Sequence, residues 1–425
     1  MNQTIFNLLA DISIPPMARI RQNFEAPYLS APESSVNKLF ENPCVGQILD
    51  GKRRVGITVG SRGISNLKDI VRGVCNSLKK YGVEPIIIPS MGSHGGATPE
   101  GQVHVLQELG ITEESMQAKI LSRTNVINLG TTDLGIPVFY DEVALSLDGV
   151  IVLNRIKAHT DLTGDVESGL QKMIAVGLGN PIGAATVHEH GLNKAVERVK
   201  SIAGYALEHA NILLGVALLE NAYDQTFRIE VIPANEIVNR ESELLAESKK
   251  HLPKFLFNDI DVLIVDRIGK NISGDGMDPN IIGRNMIGYK NKDIHINSIV
   301  TLDLTPETGS SALGVGLSDI TTKRIFDKLN LDIMYINAIT AIGLRGAHIP
   351  IIMDTDKMAI QLAIKSASTE AQDPNNLRIV RIKDTLHMDE FLVSQAILDE
   401  VRNNQNIEVR EELIEMIFDE NGNLF

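Results

Sequence analysis

Between residues 54 and 160 the chain repeats one pattern, and that pattern leaves few folds open. Short β-branched runs, "RRVGITVGSR", "EPIIIPSMG" and "DGVIVLNRIKAH", alternate with amphipathic stretches of helical length. One of these, "NLKDIVRGVCNSLKKYG", sets Leu67, Ile70, Val71, Val74 and Leu78 at helical spacing and closes at Gly82. Strand, helix and strand in succession predict α/β units with mainly parallel sheets. In open parallel sheets ligands gather beyond the carboxyl ends of the strands. Three such ends carry polar residues here: Ser61 and Arg62, then Ser93 and His94, then Asn154, Lys157 and His159.

The charged stretch "NRESELLAESKKHLPKF" ends the first series near Pro253, and "DIDVLIVDRIG" opens a second. At 425 residues the chain exceeds one ordinary core, which holds roughly 100 to 250 residues. Two α/β domains are expected, 1–255 and 256–385, with the active site in the cleft between them. Residues 386–425 read as a charged amphipathic helix and tail that packs back on the first domain.

Charge and cysteine content restrict the partners. Forty basic against fifty-four acidic side chains give a formal net charge of −14, which argues against capture of a nucleic-acid backbone. No segment reaches the roughly 18 uninterrupted apolar residues of a membrane span, and the N-terminus lacks a basic region followed by a long apolar one. A cytoplasmic protein with neither nucleic acid nor membrane as partner is expected. Cys44 and Cys75 supply neither a disulfide framework nor a cysteine-rich metal site.

Chemistry concentrates in two segments. "SMGSHGGATPEGQ" follows a strand and holds His94 among Gly92, Gly95 and Gly96, with Thr98 and Pro99 placed to start a helix. So many permissive residues predict that something approaches the backbone. Among the other histidines, His104, His209, His251, His295 and His387 read as structural or solvated, and His348 in "RGAHIP" is less plain. His94, His159 and His188 are expected at the same sheet edge. A zinc site is a weak reading, because no compact H-x-x-x-H pair is present.

The second segment is "ESGLQKMIAVGLGNPIG". Its Lys172 either snorkels to water or, if buried, offers a neutral nucleophilic amine. Gly177, Gly179 and Gly183 with Asn180 could line a phosphate through backbone amides. Their spacing departs from the dinucleotide fingerprint by one residue and follows a helical pattern, so a nicotinamide-dependent oxidoreductase ranks low.

Together "GSR" at 60 to 62, "GSHGG" at 92 to 96, "KAHTDLTG" to "SGLQK" at 157 to 172 and "VHEH" at 187 to 190 resemble the nickel-dependent lactate racemase family and its 2-hydroxyacid racemase and epimerase homologues. The resemblance is strongest over residues 54 to 192. It implies a nickel-pincer nucleotide, a nickel pyridinium-3,5-bisthiocarboxylic acid mononucleotide, joined to Lys172 through a thioamide. It further implies His188 as the protein's nickel ligand, with His190 as its competitor, and His94 and His159 as acid and base. Arg62 would hold the substrate or assist its deprotonation. Ser61, Gly92, Ser93 and Gly177 would contact the cofactor, and Lys270 and Arg284 of the second domain would contact substrate.

The implied activity is inversion at C2 of a small-molecule 2-hydroxyacid by reversible hydride transfer, with cofactor-synthesis proteins as further partners. The competing readings are a protein that binds the cofactor without turnover and a nicotinamide-dependent oxidoreductase. Val59 stands where the family has an aspartate, and Asp275, Asp278 and Asn280 suggest a substrate larger or more hydroxylated than lactate.

Overall fold

The computed structural model describes residues 2–61, 63–288, 294–368 and 373–425. They form two compact units, Glu25–Leu252 and the combination of Met1–Phe24 with Pro253–Phe425. Each is built on its own β-sheet with helices packed against it, the α/β architecture that the alternating pattern predicts.

In the Glu25–Leu252 unit the sheet runs in the order Lys119–Ile120, Glu84–Pro89, Arg54–Val59, Gly149–Arg155, Ile212–Glu220, Thr226–Pro233. The first five strands are parallel and the last is antiparallel. Val55, Ile57, Ile87, Ile151 and Val216 are buried between covering helices, which explains why these strands read as apolar runs without polar alternation. The Leu67–Lys80 helix lays Ile70, Val71, Val74 and Leu78 on the sheet, as their spacing requires. From Arg54–Val59 the chain builds outward to Glu84–Pro89 and Lys119–Ile120, then returns to the opposite flank at Gly149–Arg155. That reversal makes a switch point, where the strand ends of a doubly wound sheet leave a crevice.

The other unit holds eight strands, in the order Ile351–Met353, Ile320–Thr322, His295–Leu304, Asp259–Ile268, Ile379–Ile382, Glu390–Ser394, Met17–Gln22, Ile407–Ile414. The first five are parallel. Here the structure corrects the expected domains 1–255 and 256–385 with a tail returning to the first. Met17–Gln22 pairs antiparallel with both Glu390–Ser394 and Ile407–Ile414, so the first 24 residues and the tail complete the second sheet. The register buries Met17, Ala18, Ile20, Phe391 and Val393. The presumed tail helix is two strands around the short Gln395–Val401 helix. Its charges mislead because Ile407–Ile414 is an edge strand whose Glu408, Arg410, Glu411 and Glu412 face water, as charged edges commonly do.

Deleting residues 1–24 removes a strand from the interior of that sheet. We expect the truncated chain to lose the cooperative melting of the second unit and to become protease-sensitive after residue 253, while 25–252 stays resistant. Calorimetry and limited proteolysis of the two forms check this.

Candidate active site

Three strand ends and one irregular helix set the frame. A Cβ placed on Gly177 would fall 2.9 Å from the carbonyl oxygen of Ser90 and 2.4 Å from Met173 Sδ. One on Gly60 would fall 3.2 Å from the Met173 methyl. The ends of the Arg54–Val59 and Glu84–Pro89 strands therefore rest directly on the turn that follows Lys172. The Gly149–Arg155 strand joins them through Asn154, whose Nδ2 donates to the Gly169 carbonyl at 2.8 Å.

That turn, Met173–Gly177, is a π-helix, in which the Leu178 amide donates to the Met173 carbonyl at 2.9 Å. It joins the short Leu170–Lys172 helix to Asn180–His188. Single π turns are uncommon and frequent at functional sites.

Lys172 and His188 come together across it. Burial first, and the Lys172 charge second, hold the His188 imidazole below its ordinary pKa. His188 Nδ1 is buried and has no hydrogen-bond partner among the described residues. A neutral ring with a buried, uncommitted nitrogen is the form in which histidine binds metal. His190 lies exposed in the turn beyond the helix, which separates the two histidines that the sequence left in competition. Among the described residues no group of three or more His, Cys, Asp or Glu side chains is set to hold a metal.

The His159 loop is held from within. Lys157 and Ser168 form an isolated antiparallel bridge, and the His159 amide donates to Glu167 Oε2 at 2.7 Å. Glu167 also accepts from Gly164 N and pairs with Lys249. His159 Nδ1 accepts from the amides of Asp161 at 3.0 Å and Leu162 at 3.1 Å. Two donors on Nδ1 assign the ring proton to Nε2, so His159 presents an N–H in this arrangement.

His94 stands exposed on its loop, which differs in one respect from expectation. The glycines serve the loop's own path. Gly95 has φ +66, and a Cβ there would lie 2.6 Å from Gln102 N of the following helix. Gly92, at φ +60, packs against Val176 and Ala184. Thr98 Oγ1 accepts from Gly101 N at 3.1 Å and caps the helix, with Pro99 in its first turn. Ser93 is exposed beside His94, and Ser61 is half-buried at its strand end. Arg62 lies outside the described residues.

Gly177 and Gly179 are glycines because neighbouring atoms crowd them, and a Cβ on Gly183 would fall 2.9 Å from the Ala175 carbonyl oxygen. Asn180 is buried with its amide donating to Asp141 Oδ2 at 2.7 Å. Close packing accounts for the glycines at 177, 179 and 183. In the other unit, Arg284 donates to Asp319 and to the carbonyls of Leu317, Ile296 and Asn297, so its guanidinium straps two strands and is not available as a substrate contact. Lys270 Nζ donates to Asn337 Oδ1 at 2.6 Å. A shallow cavity of about 440 Å³ at Glu84, Pro85 and Lys119 lies at the amino-terminal edge of the first sheet, away from these residues.

Sequence reasoning missed Glu241. In the Ile237–Lys250 helix it occupies the buried stripe of Ile237, Leu244, Leu245 and Ser248, a glutamate where an apolar residue belongs, and that was the legible signal. Its Oε2 accepts from Gln171 N at 2.8 Å. Burial pushes its carboxyl up to about 7, against the opposing pull of the Gln171 and Leu170 amides.

Residues 15–198 match the family described as the lactate racemase N-terminal domain. The structure is similar to that of the lactate racemase apoprotein from Thermoanaerobacterium thermosaccharolyticum, with a TM-score of 0.51 and 13% identity, over 86% of this chain and 98% of that one. A Thermotoga maritima protein gives a TM-score of 0.46 and 13% identity over 64% of this chain and 69% of that one. No curated protein matches the chain. The chain thus carries a lactate racemase N-terminal domain, a domain of isomerases of the racemase class, and shares the fold of that apoprotein.

The raised Glu241 pKa fixes a pH dependence. The native carboxyl holds its proton more tightly than the unfolded one, so this stability is complete below about pH 4.5 and is lost as pH rises through about 7. Relative to wild type, Glu241→Gln is expected to gain on the order of 2 kcal/mol between pH 5 and pH 8. Urea unfolding at the two pH values measures it.

Proposed function

We propose that this chain is a cytoplasmic racemase or epimerase that inverts C2 of a 2-hydroxyacid, using a nickel-pincer nucleotide tied to Lys172 and ligated by His188. The observation that carries this reading is His188, whose Nδ1 is buried without a hydrogen-bond partner among the described residues and whose ring is held below its ordinary pKa first by burial and then by the Lys172 charge. One protein ligand suits a metal whose other donors arrive with an organic group, whereas a zinc site needs three or four from the chain. When bound, such a group supplies a reversible hydride acceptor.

The chain's own residues then handle protons and orientation. A C2 hydrogen beside a carboxylate is too weak an acid for a histidine, so the histidines act on the hydroxyl. His94, exposed on its loop, takes or returns the hydroxyl proton on one face. His159 presents its Nε2–H to the substrate oxygen on the other, held by the Asp161 and Leu162 amides. To accept a proton at Nε2 it must release those amides from Nδ1, so His159 favours the direction in which it donates. Ser61, Gly92 and Ser93 lie at the strand ends where the nucleotide would sit. His188 rather than His190 takes the metal.

Protein purified from cells that make the cofactor should carry extra mass on the peptide containing Lys172 and about one nickel per chain, as a single-site metal requires. It should also racemise a single 2-hydroxyacid enantiomer, which a carrier without turnover would not do. Lys172→Ala should lose the mass, and His188→Ala should lose nickel while retaining it. His94→Ala should lower kcat by about 100-fold or more with the cofactor still attached. Unmodified Lys172 in wild-type protein from such cells would overturn the reading.

A further inference from the structure

The Leu170–Lys172 helix has three residues and begins at Gly169, which offers no side chain to cap it. One of its first amides, that of Gln171, is met from another element. Glu241, on the Ile237–Lys250 helix, accepts from the Gln171 amide through Oε2 at 2.8 Å. Gly169 is fitted to this contact, since a Cβ there would fall 1.9 Å from Glu241 Oε1 and 3.3 Å from Ile156 Cγ1. On the other side of the same peptide, the Gly169 carbonyl accepts from Asn154 Nδ2 at 2.8 Å and from Met173 N at 3.0 Å. The backbone entering Lys172 is thus gripped on both its faces, by a strand end and by a buried carboxyl.

A serine or threonine at position 169 would cap a helix start at little cost. This chain instead buries a carboxyl completely, in a stripe of the Ile237–Lys250 helix that is otherwise built for the core. Local rules broken in this way are characteristic of functional positions. The segment held is the one that must present an amine in a fixed direction, next to a π turn that is itself less regular than an α-helix.

We propose that Glu241 is a positioning residue for Lys172, its carboxyl seated on the Gln171 amide and in the gap left by Gly169, fixing the backbone that presents the amine. This rests on the assignment of Lys172 as the cofactor anchor, yet its test does not need the cofactor. The experiment uses the full-length apo chain and compares wild type with Glu241→Ala, Glu241→Gln and Gly169→Ala. Two quantities are read by peptide mass spectrometry: amide hydrogen exchange over residues 169–178, and the rate of Lys172 acetylation by acetic anhydride relative to the exposed Lys194.

Glu241→Ala is expected to speed exchange over 169–178 by about tenfold and to change the Lys172 to Lys194 ratio severalfold, with the Arg54–Val59 strand unaffected. Glu241→Gln keeps an oxygen that accepts from Gln171 N and is expected to restore both readings. Should Glu241→Ala fail to fold, Gly169→Ala replaces it, because the added methyl displaces the carboxyl and should raise exchange over the same residues. Exchange and acetylation within twofold of wild type in the alanine variants would overturn the proposal, as would an equal rise in the Arg54–Val59 strand or the absence of rescue by glutamine. Wild-type protein that never gains cofactor mass, but shows these local effects, would instead remove the cofactor reading and leave Glu241 as the residue that orients Lys172.

Discussion

The closeness of Ser90 to Gly177 governs the carboxyl edge of the first sheet. Nothing larger than hydrogen fits between that strand end and the π turn, so strand and turn cannot move apart or slide without opening a void in a packed interior. The extra residue of the π turn rotates everything after it by about 100° relative to a continuous α-helix. The faces of the Asn180–His188 helix, and with them His188, are therefore oriented by where the Glu84–Pro89 strand ends. A sheet made rigid by its apolar strands thus fixes Lys172 and His188, which belong to no strand.

Much of this frame was legible in the residues. Apolar runs alternating with amphipathic stretches specify α/β units because the two periodicities cannot be exchanged. The carboxyl ends of three strands, carrying Ser61, His94 and His159, were placed by the same logic. Lys172 stood out as a lysine among apolar residues, and the structure brings it to His188. His188 could not be separated from His190 beforehand, since only the end of the Asn180–His188 helix turns one inward and leaves the other in water.

What failed did so for physical reasons. Glycines at 95, 177 and 179 were read as clearance for a ligand, whereas the atoms that crowd them belong to the chain itself. Sequence reports that a side chain is absent but not what occupies its place. Arg284 looked like an anion contact, yet a guanidinium satisfies carbonyls as readily as carboxylates, and here it meets three of them. Glu241 was hidden by its neighbours: in a helix with Glu243 and Glu247 on its polar side, one more glutamate attracts notice only when its place in the buried stripe is counted.

The strand Met17–Gln22 lies between two strands made from the far end of the chain. During translation it emerges with nothing to pair with, and the whole of Glu25–Leu252 is threaded out and able to collapse before its neighbours exist. The larger part of the molecule is in effect an insertion between the first strand of a sheet and the remainder of that sheet. Completing that sheet joins Met17–Gln22 to Glu390–Ser394 and Ile407–Ile414, so the sheet stays open until both of those strands have been made.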